Sequence, residues 1–311
     1  MNLHFTTQDK QFLHGQKDGQ WSNMVDLTTA QHEQKTAAGL TFEVYKDQHQ
    51  GGGVYTAKWN AVKQALEALR KSGMLWTQAE LESFTVIFYG DRNNAGESRG
   101  IVYFETPQSV KPKAVLQLGA RSVQHVTVTL NKGADGGGGH IVDIAGGMAR
   151  PARSVADRFF DYYKTAKTVN QNERCILAQA LHEFGHIFHQ LLAPNKFHMH
   201  AEIAQGRPGG TQSGYLPQAK TRGTQHVSQY SGEQLGGAPP RLLNEYVAEV
   251  FSGIMMGVHW DKVSPDVMKT YGDLGGPTVP TPPEEISRLT DFVAQTCVCP
   301  GGPSTKVQMY N

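Results

Sequence analysis

The segment CILAQALHEFGHIFHQLL, residues 175–192, carries the side chains best placed to do chemistry. On an α-helix His182 and His186 are four residues apart, so they share a face about one turn from each other. Two imidazoles at that spacing can reach one Zn²⁺ at roughly 2.0–2.1 Å. Glu183 projects onto the adjacent surface, where its carboxylate can face a water on that metal. Two ligands and a proton acceptor on one helix are the equipment of metal-assisted hydrolysis. The bland alternative is a buried helix with two incidental histidines. Leu181, Phe184, Ile187 and Phe188 frame the polar positions with apolar ones, and no proline interrupts the run. Gly185 costs a helix interior about 1 kcal/mol against Ala, a cost that close backbone packing would explain.

A catalytic zinc takes three protein ligands and leaves one position for water. The metzincin pattern requires Gly at 189 and His or Asp at 192, where this chain has His189 and Leu192. The aspzincin pattern requires an Asp where Gly223-Thr224-Gln225 is followed by His226. His198 and His200 are further candidates just past the helix end. The segment NEYVAE at 244–249 is the strongest, because Glu245 and Glu249 again stand at i and i+4. One carboxylate can ligate while the other receives the free N–H of a ligating histidine. A solvated helix face would be the plain reading of two such glutamates. Tyr246, Val247, Ala248, Val250, Phe251 and Ile254 instead make this helix apolar around much of its circumference.

These segments need elements to hold them. Trp59, Val62, Ala65, Leu66 and Leu69 recur at helical steps between about 55 and 72, and Gly73 ends the pattern. Runs rich in β-branched and aromatic residues follow at 84–90, 100–106, 114–120 and 124–130, separated by turn formers. A glycine-rich stretch at 133–139 lacks the Lys-Ser/Thr ending of a phosphate loop and reads as a surface loop. Helical patterns then occupy about 153–168, 172–192 (stopped by Pro194), 241–258 and 284–296. The expected class is α+β: a small mixed β-sheet followed by an active-site helix and a C-terminal helical part. Residues 1–53 show no sustained period and form a poorly defined N-terminal segment; 54–296 form the main domain, and 297–311 a flexible tail.

Composition narrows the function classes. The 311 residues carry a net charge of +1, which offers no electrostatic footprint for nucleic acid. No run reaches the ~18 apolar residues of a membrane span. The polar start, MNLHFTTQDKQFLHGQKDGQW, has no apolar core of a secretory signal. Synthesis in the cytoplasm is expected, with any export by a signal-independent route. Cys175, Cys297 and Cys299 cannot build a disulfide framework. Nothing in the pattern speaks to oligomeric state.

HEFGH, then VSQY at 227–230, then NEYVAE resemble the gluzincin metallopeptidases, and within them the anthrax lethal factor-like catalytic domain. The resemblance covers about residues 155–258. It implies a zincin-like fold holding one Zn²⁺ per chain through His182, His186 and Glu245, with Glu249 as a supporting residue behind the ligands. It also implies Glu183 as general base and Tyr230 as the oxyanion donor, with a protein or peptide as substrate and a place among bacterial secreted effectors and toxins. The stretch between Tyr230 and Glu245 is longer than that family's; Tyr215 and Tyr246 are substitutes for the oxyanion role. An extended substrate would lie along an edge strand, for which 124–130 is the candidate. Two readings compete: a metal-dependent amidohydrolase that is not a peptidase, and a binding module that zinc only stabilises.

Overall fold

The computed structural model describes residues 1, 3–15, 30–46, 52–88, 98–119, 171–198, 243–257, 260 and 265–283. Five strands form one mixed sheet: β1 (Gln31–Ala37), β2 (Leu40–Lys46), β3 (Ser83–Phe88), β4 (Arg99–Tyr103) and β5 (Lys113–Leu118), in the order β1-β2-β3-β5-β4. The pairs β2/β3 and β3/β5 are parallel, while β1/β2 and β4/β5 are antiparallel. Among the described residues the helices α1 (Thr7–Gly15), α2 (Gly52–Lys71), α3 (Gln171–Leu192), α4 (Leu243–Met255) and α5 (Pro265–Asp273) accompany them. The class is α+β, as expected from the sequence.

Strand periodicity sorts the sheet's side chains by face. Phe42, Val44, Phe84, Val86, Phe88, Val102, Ala114, Leu116 and Leu118 enter the main core with α2, α3 and α4, while Ile87, Ile101, Tyr103 and Val115 cluster separately with Tyr45. α2 links the parallel strands β2 and β3, as such a connection must cross over. It buries Val62, Ala65, Leu66 and Leu69, the residues whose spacing marks the helix in the sequence. Gly73, at φ +70°, ends it, with the Met74 N–H donating back to the Leu69 carbonyl at 2.9 Å. That left-handed turn is one glycine takes without strain.

Three of the four sequence-expected strand runs correspond to β3, β5 and β4; the fourth, 124–130, lies outside the described residues, as do the helical patterns at 153–168 and 284–296. The β1–β2 hairpin falls within residues 1–53, and α1 does too. β1 reads QHEQKTA with a largely exposed burial pattern. It pairs through its backbone without any apolar alternation to announce it. α5 is a nine-residue helix in a stretch to which the sequence pattern assigned no element.

α3 is the centre of the assembly. It packs against α2, α4, β4 and β5, and almost every residue from Leu177 to Leu191 is buried. Two glycines make this possible. A Cβ at Gly185 would stand 3.0 Å from the Ala248 Cα, so α3 and α4 meet backbone to backbone there. A Cβ at Gly100 would stand 2.0 Å from the Glu183 carbonyl oxygen. β4 therefore lies directly on the turn of α3 that carries His182, Glu183 and His186. Replacing Gly100 by Ala forces strand and helix apart, and is expected to destabilise the protein by about 1–3 kcal/mol in urea unfolding; unchanged stability would mean that the two backbones are not in contact.

Candidate metal centre

α3 presents His182 and His186 towards α4, and the two imidazole centroids lie 4.9 Å apart. α4 presents Glu245 from its first turn. The Glu245 Oε2 stands 3.0 Å from the His182 Nε2 and 3.4 Å from the His186 Nε2. All three ligand atoms lie within 4.8 Å of one another, and among the described residues this is the one such group. Donors at ~2.1 Å from a tetrahedral zinc sit roughly 3.4 Å apart. The donor set, two neutral-capable imidazoles and a carboxylate, is one that zinc accepts. The residues present thus fit a zinc ion by chemistry and by spacing.

Behind this group the Glu249 Oε1 lies 2.9 Å from the His182 Nδ1. Glu249 is fully buried, so its carboxylate has the imidazole as its counterpart in place of solvent. With an N–H on Nδ1 pointed at that carboxylate, a metal ion that displaced the proton on Nε2 would find the Nε2 lone pair on the side of Glu245 and His186. This is how a carboxylate fixes the tautomer of a metal-binding histidine. The i, i+4 spacing of Glu245 and Glu249 serves two roles from one helix face, the outer residue at the cluster and the inner one behind it. Glu245 keeps 18 % of its side chain exposed while His182 keeps 2 %, so solvent reaches the cluster from the Glu245 side.

The electrostatics follow from burial in a mixed-charge cluster. Burial alone would depress the His182 imidazole, but Glu245 and Glu249 outweigh it and hold it well above its ordinary range. Burial would raise the Glu245 carboxyl, and the imidazoles of His186 and His182 hold it well below the usual carboxylate range. Glu183 goes the other way. Burial raises its carboxyl, against the pull of His182, His186 and the Gly100 N–H that it accepts. A carboxylate with a raised affinity for its proton, beside a metal-binding group, is suited to taking and returning one.

Other residues singled out from the sequence fall elsewhere. His198 is buried beside Phe197, with ring centroids 5.5 Å apart, and stands outside the ligand group. His189 is buried with its Nε2 3.0 Å from the Leu274 carbonyl oxygen. Tyr246 is fully buried and its hydroxyl donates to the Val267 carbonyl at 3.2 Å. That engagement removes Tyr246 as a substitute oxyanion donor. Tyr230, Tyr215, His200 and His226 lie outside the described residues. Cys175 is on α3 itself, seven residues before His182 and so roughly 10 Å along the axis, too far to share the same ion. Sequence reasoning missed two participants, Gln190 and Gly100. Gln190 continues the stripe of His182 and His186 at the next i+4 position, a polar residue on a buried face that periodicity could have marked.

Two outcomes are expected. Glu249→Leu removes the partner of the His182 Nδ1 and should weaken zinc binding 10- to 100-fold in a chelator competition titration; an unchanged affinity would show that the contact does not support the ligand. Burial pushes the His198 imidazole down to about 4. The unfolded chain then binds the proton first, so this contribution is complete above the ordinary value of 6.5 and is lost as pH falls towards 4. Unfolding of wild type and His198→Phe between pH 7 and 4 should show the variant losing less stability, and equal slopes would refute it.

Compared with known protein families, characterised proteins and solved structures, the chain matches none, so the metal centre stands on its own geometry.

Proposed function

We propose that this protein is a zinc-dependent endopeptidase of gluzincin type. The observation that carries the reading is the convergence of His182, His186 and Glu245 from two helices, with Glu249 behind one ligand and Glu183 beside the group. Metal sites that only stabilise a fold normally close all four positions. Here three side chains gather on a partly solvent-open side, next to a carboxylate with a raised proton affinity.

A zinc ion held by His182, His186 and Glu245 would supply Lewis acidity, polarising a carbonyl and making a water beside it more acidic. Glu183 takes the proton of the attacking water, its carboxylate held near the ligands by the Gly100 N–H. It then returns that proton to the departing amine, which completes the cleavage. Glu249 keeps His182 in one tautomer throughout and offsets positive charge at the centre. Tyr230 is the proposed oxyanion donor on the motif resemblance; such a donor is worth about 3 kcal/mol.

The proposed substrate is an extended protein or peptide segment, with 124–130 the proposed edge for main-chain pairing. The resemblance of HEFGH, VSQY and NEYVAE to lethal factor-like domains supports a role as a secreted bacterial effector.

Metal analysis of the purified protein should give about one zinc per chain. Glu245→Ala should lower that content, whereas Glu183→Gln should keep it and lose 10²- to 10⁴-fold in hydrolysis of an unstructured protein substrate. A Glu183→Gln variant as active as wild type would sink the peptidase reading. Tyr230→Phe should lower kcat with zinc retained, and full activity would remove its role.

A further inference from the structure

Among the described residues strand β4 is at an edge of the sheet, yet its outer side is not open. In an antiparallel pair, alternate residues turn their N–H and C=O towards the partner and the rest turn them away. Gly100 and Val102 are of the second kind, and three of their four outward groups end on α3. The Val102 N–H donates to the Gln190 Oε1 at 3.0 Å, and the Gly100 carbonyl accepts from the Gln190 Nε2 at 2.8 Å. The second N–H of that amide goes to the His186 carbonyl at 2.9 Å. The Gly100 N–H goes to the Glu183 carboxylate.

Gln190 is fully buried. Its Nε2 spends both protons and its Oε1 faces a donor, so only one orientation of the amide satisfies the three contacts. Turned over, it would set an oxygen against two carbonyl oxygens and an NH₂ against an N–H. The three groups it joins belong to the two elements that bear the proposed chemistry. One is the turn of α3 that ends in His186. The other is the pair of residues on β4 whose backbone rests against Glu183, with the Gly100 Cα so close that a Cβ would meet the Glu183 carbonyl at 2.0 Å. A peptide adding to a sheet edge requires that edge's N–H and C=O groups. At residues 100–102 three of them already have partners within the chain.

We propose that Gln190 is a positioning residue of the metal centre, sealing β4 at residues 100–102 against strand addition and fixing that strand to the turn bearing His186. Substrate is then held by main chain outside residues 100–102 and by side chains, and Gly100 stays in register with Glu183 through the Gln190 amide. The positioning half of this inference rests on the peptidase reading; the sealed edge does not.

The test uses the full-length, zinc-loaded protein and amide hydrogen exchange resolved to single residues. In wild type the Gly100 and Val102 amides should exchange as slowly as interior sheet amides such as Leu116, and at least tenfold more slowly than amides of the exposed edge strand β1. Exchange as fast as in β1 overturns the seal, and this needs no variant to fold. In Gln190→Leu the Val102 amide should exchange at least tenfold faster with Leu116 unchanged; in Gln190→Glu, which keeps an acceptor for Val102 but no donors, the Val102 protection should largely return. Zinc content should stay at one per chain in both. With a peptide substrate, both variants should lose at least tenfold in kcat with KM within twofold, and wild-type kcat in either folded variant overturns the positioning role. Slow exchange at Gly100 and Val102 in a protein that cleaves no peptide would uphold the seal while defeating the peptidase reading.

Discussion

The imidazole of His182 sits between two carboxylates in a space that solvent barely enters. Its Nε2 lies 3.0 Å from Glu245 and its Nδ1 2.9 Å from Glu249. Burying a charge is expensive unless it is paired and hydrogen-bonded, and this junction buries several at once. Glu183 and Glu249 are nearly or wholly inaccessible, and Glu245 only partly exposed. Three carboxylates against two imidazoles leave an excess of negative charge that protons on the histidines can offset in part. A divalent cation offsets it more fully, because it satisfies two imidazole lone pairs and a carboxylate at one point. The arrangement is costly for a helix junction that only has to pack, since apolar residues of similar volume commonly do that as well or better.

Much of the rest of the fold can be understood as bringing α3 and α4 close enough for that junction. Gly185 removes the side chain that would separate the two backbones. The Ser252 hydroxyl donates to the Ala178 carbonyl at 2.8 Å one to two turns further along the same interface. The Asn244 amide donates to the Phe197 carbonyl at 3.1 Å, anchoring the start of α4 next to Glu245. Trp76 packs its ring against Phe84, Phe184 and Phe188, joining the sheet to the opposite side of α3. Ligand geometry is thus carried by elements already packed on a core, which lets a site hold its donors within the narrow tolerance that metal binding demands.

What could be read in the sequence divides by the kind of information involved. α3 and α4 were legible because their apolar positions repeat with helical period and their polar exceptions fall at i, i+4. Gly185 was legible as an anomaly, a poor helix former in a helix that needed to be good. β3, β4 and β5 announced themselves through β-branched and aromatic runs. The β1–β2 hairpin did not, because β1 has one face towards solvent and the other only half covered, so polar residues occupy both. Its strand identity comes from pairing with β2, which no local pattern encodes. The same limit applied to Glu245. Its helix and its pairing with Glu249 were visible, but that its carboxylate reaches a histidine 63 positions earlier is a long-range fact, and the choice of Glu245 over Glu249 as the ligand came from motif resemblance.

Gly100 and Gln190 show a subtler limit. A glycine opening a strand and a glutamine ending a helix stripe are each unremarkable in isolation, and only their meeting has consequences. Among the described residues β4 lies at an edge of the sheet, and an edge with unpaired backbone groups invites pairing with other chains. Gln190, which closes this edge, stands one turn from His186, so the groups that cover the strand also set its distance from the turn bearing the candidate ligands. One contact surface therefore answers two requirements, closing the backbone groups of residues 100–102 and holding β4 in register with the turn of α3 that bears His182, Glu183 and His186. A substitution there would disturb both together, which is why neither residue can be understood from its own element alone.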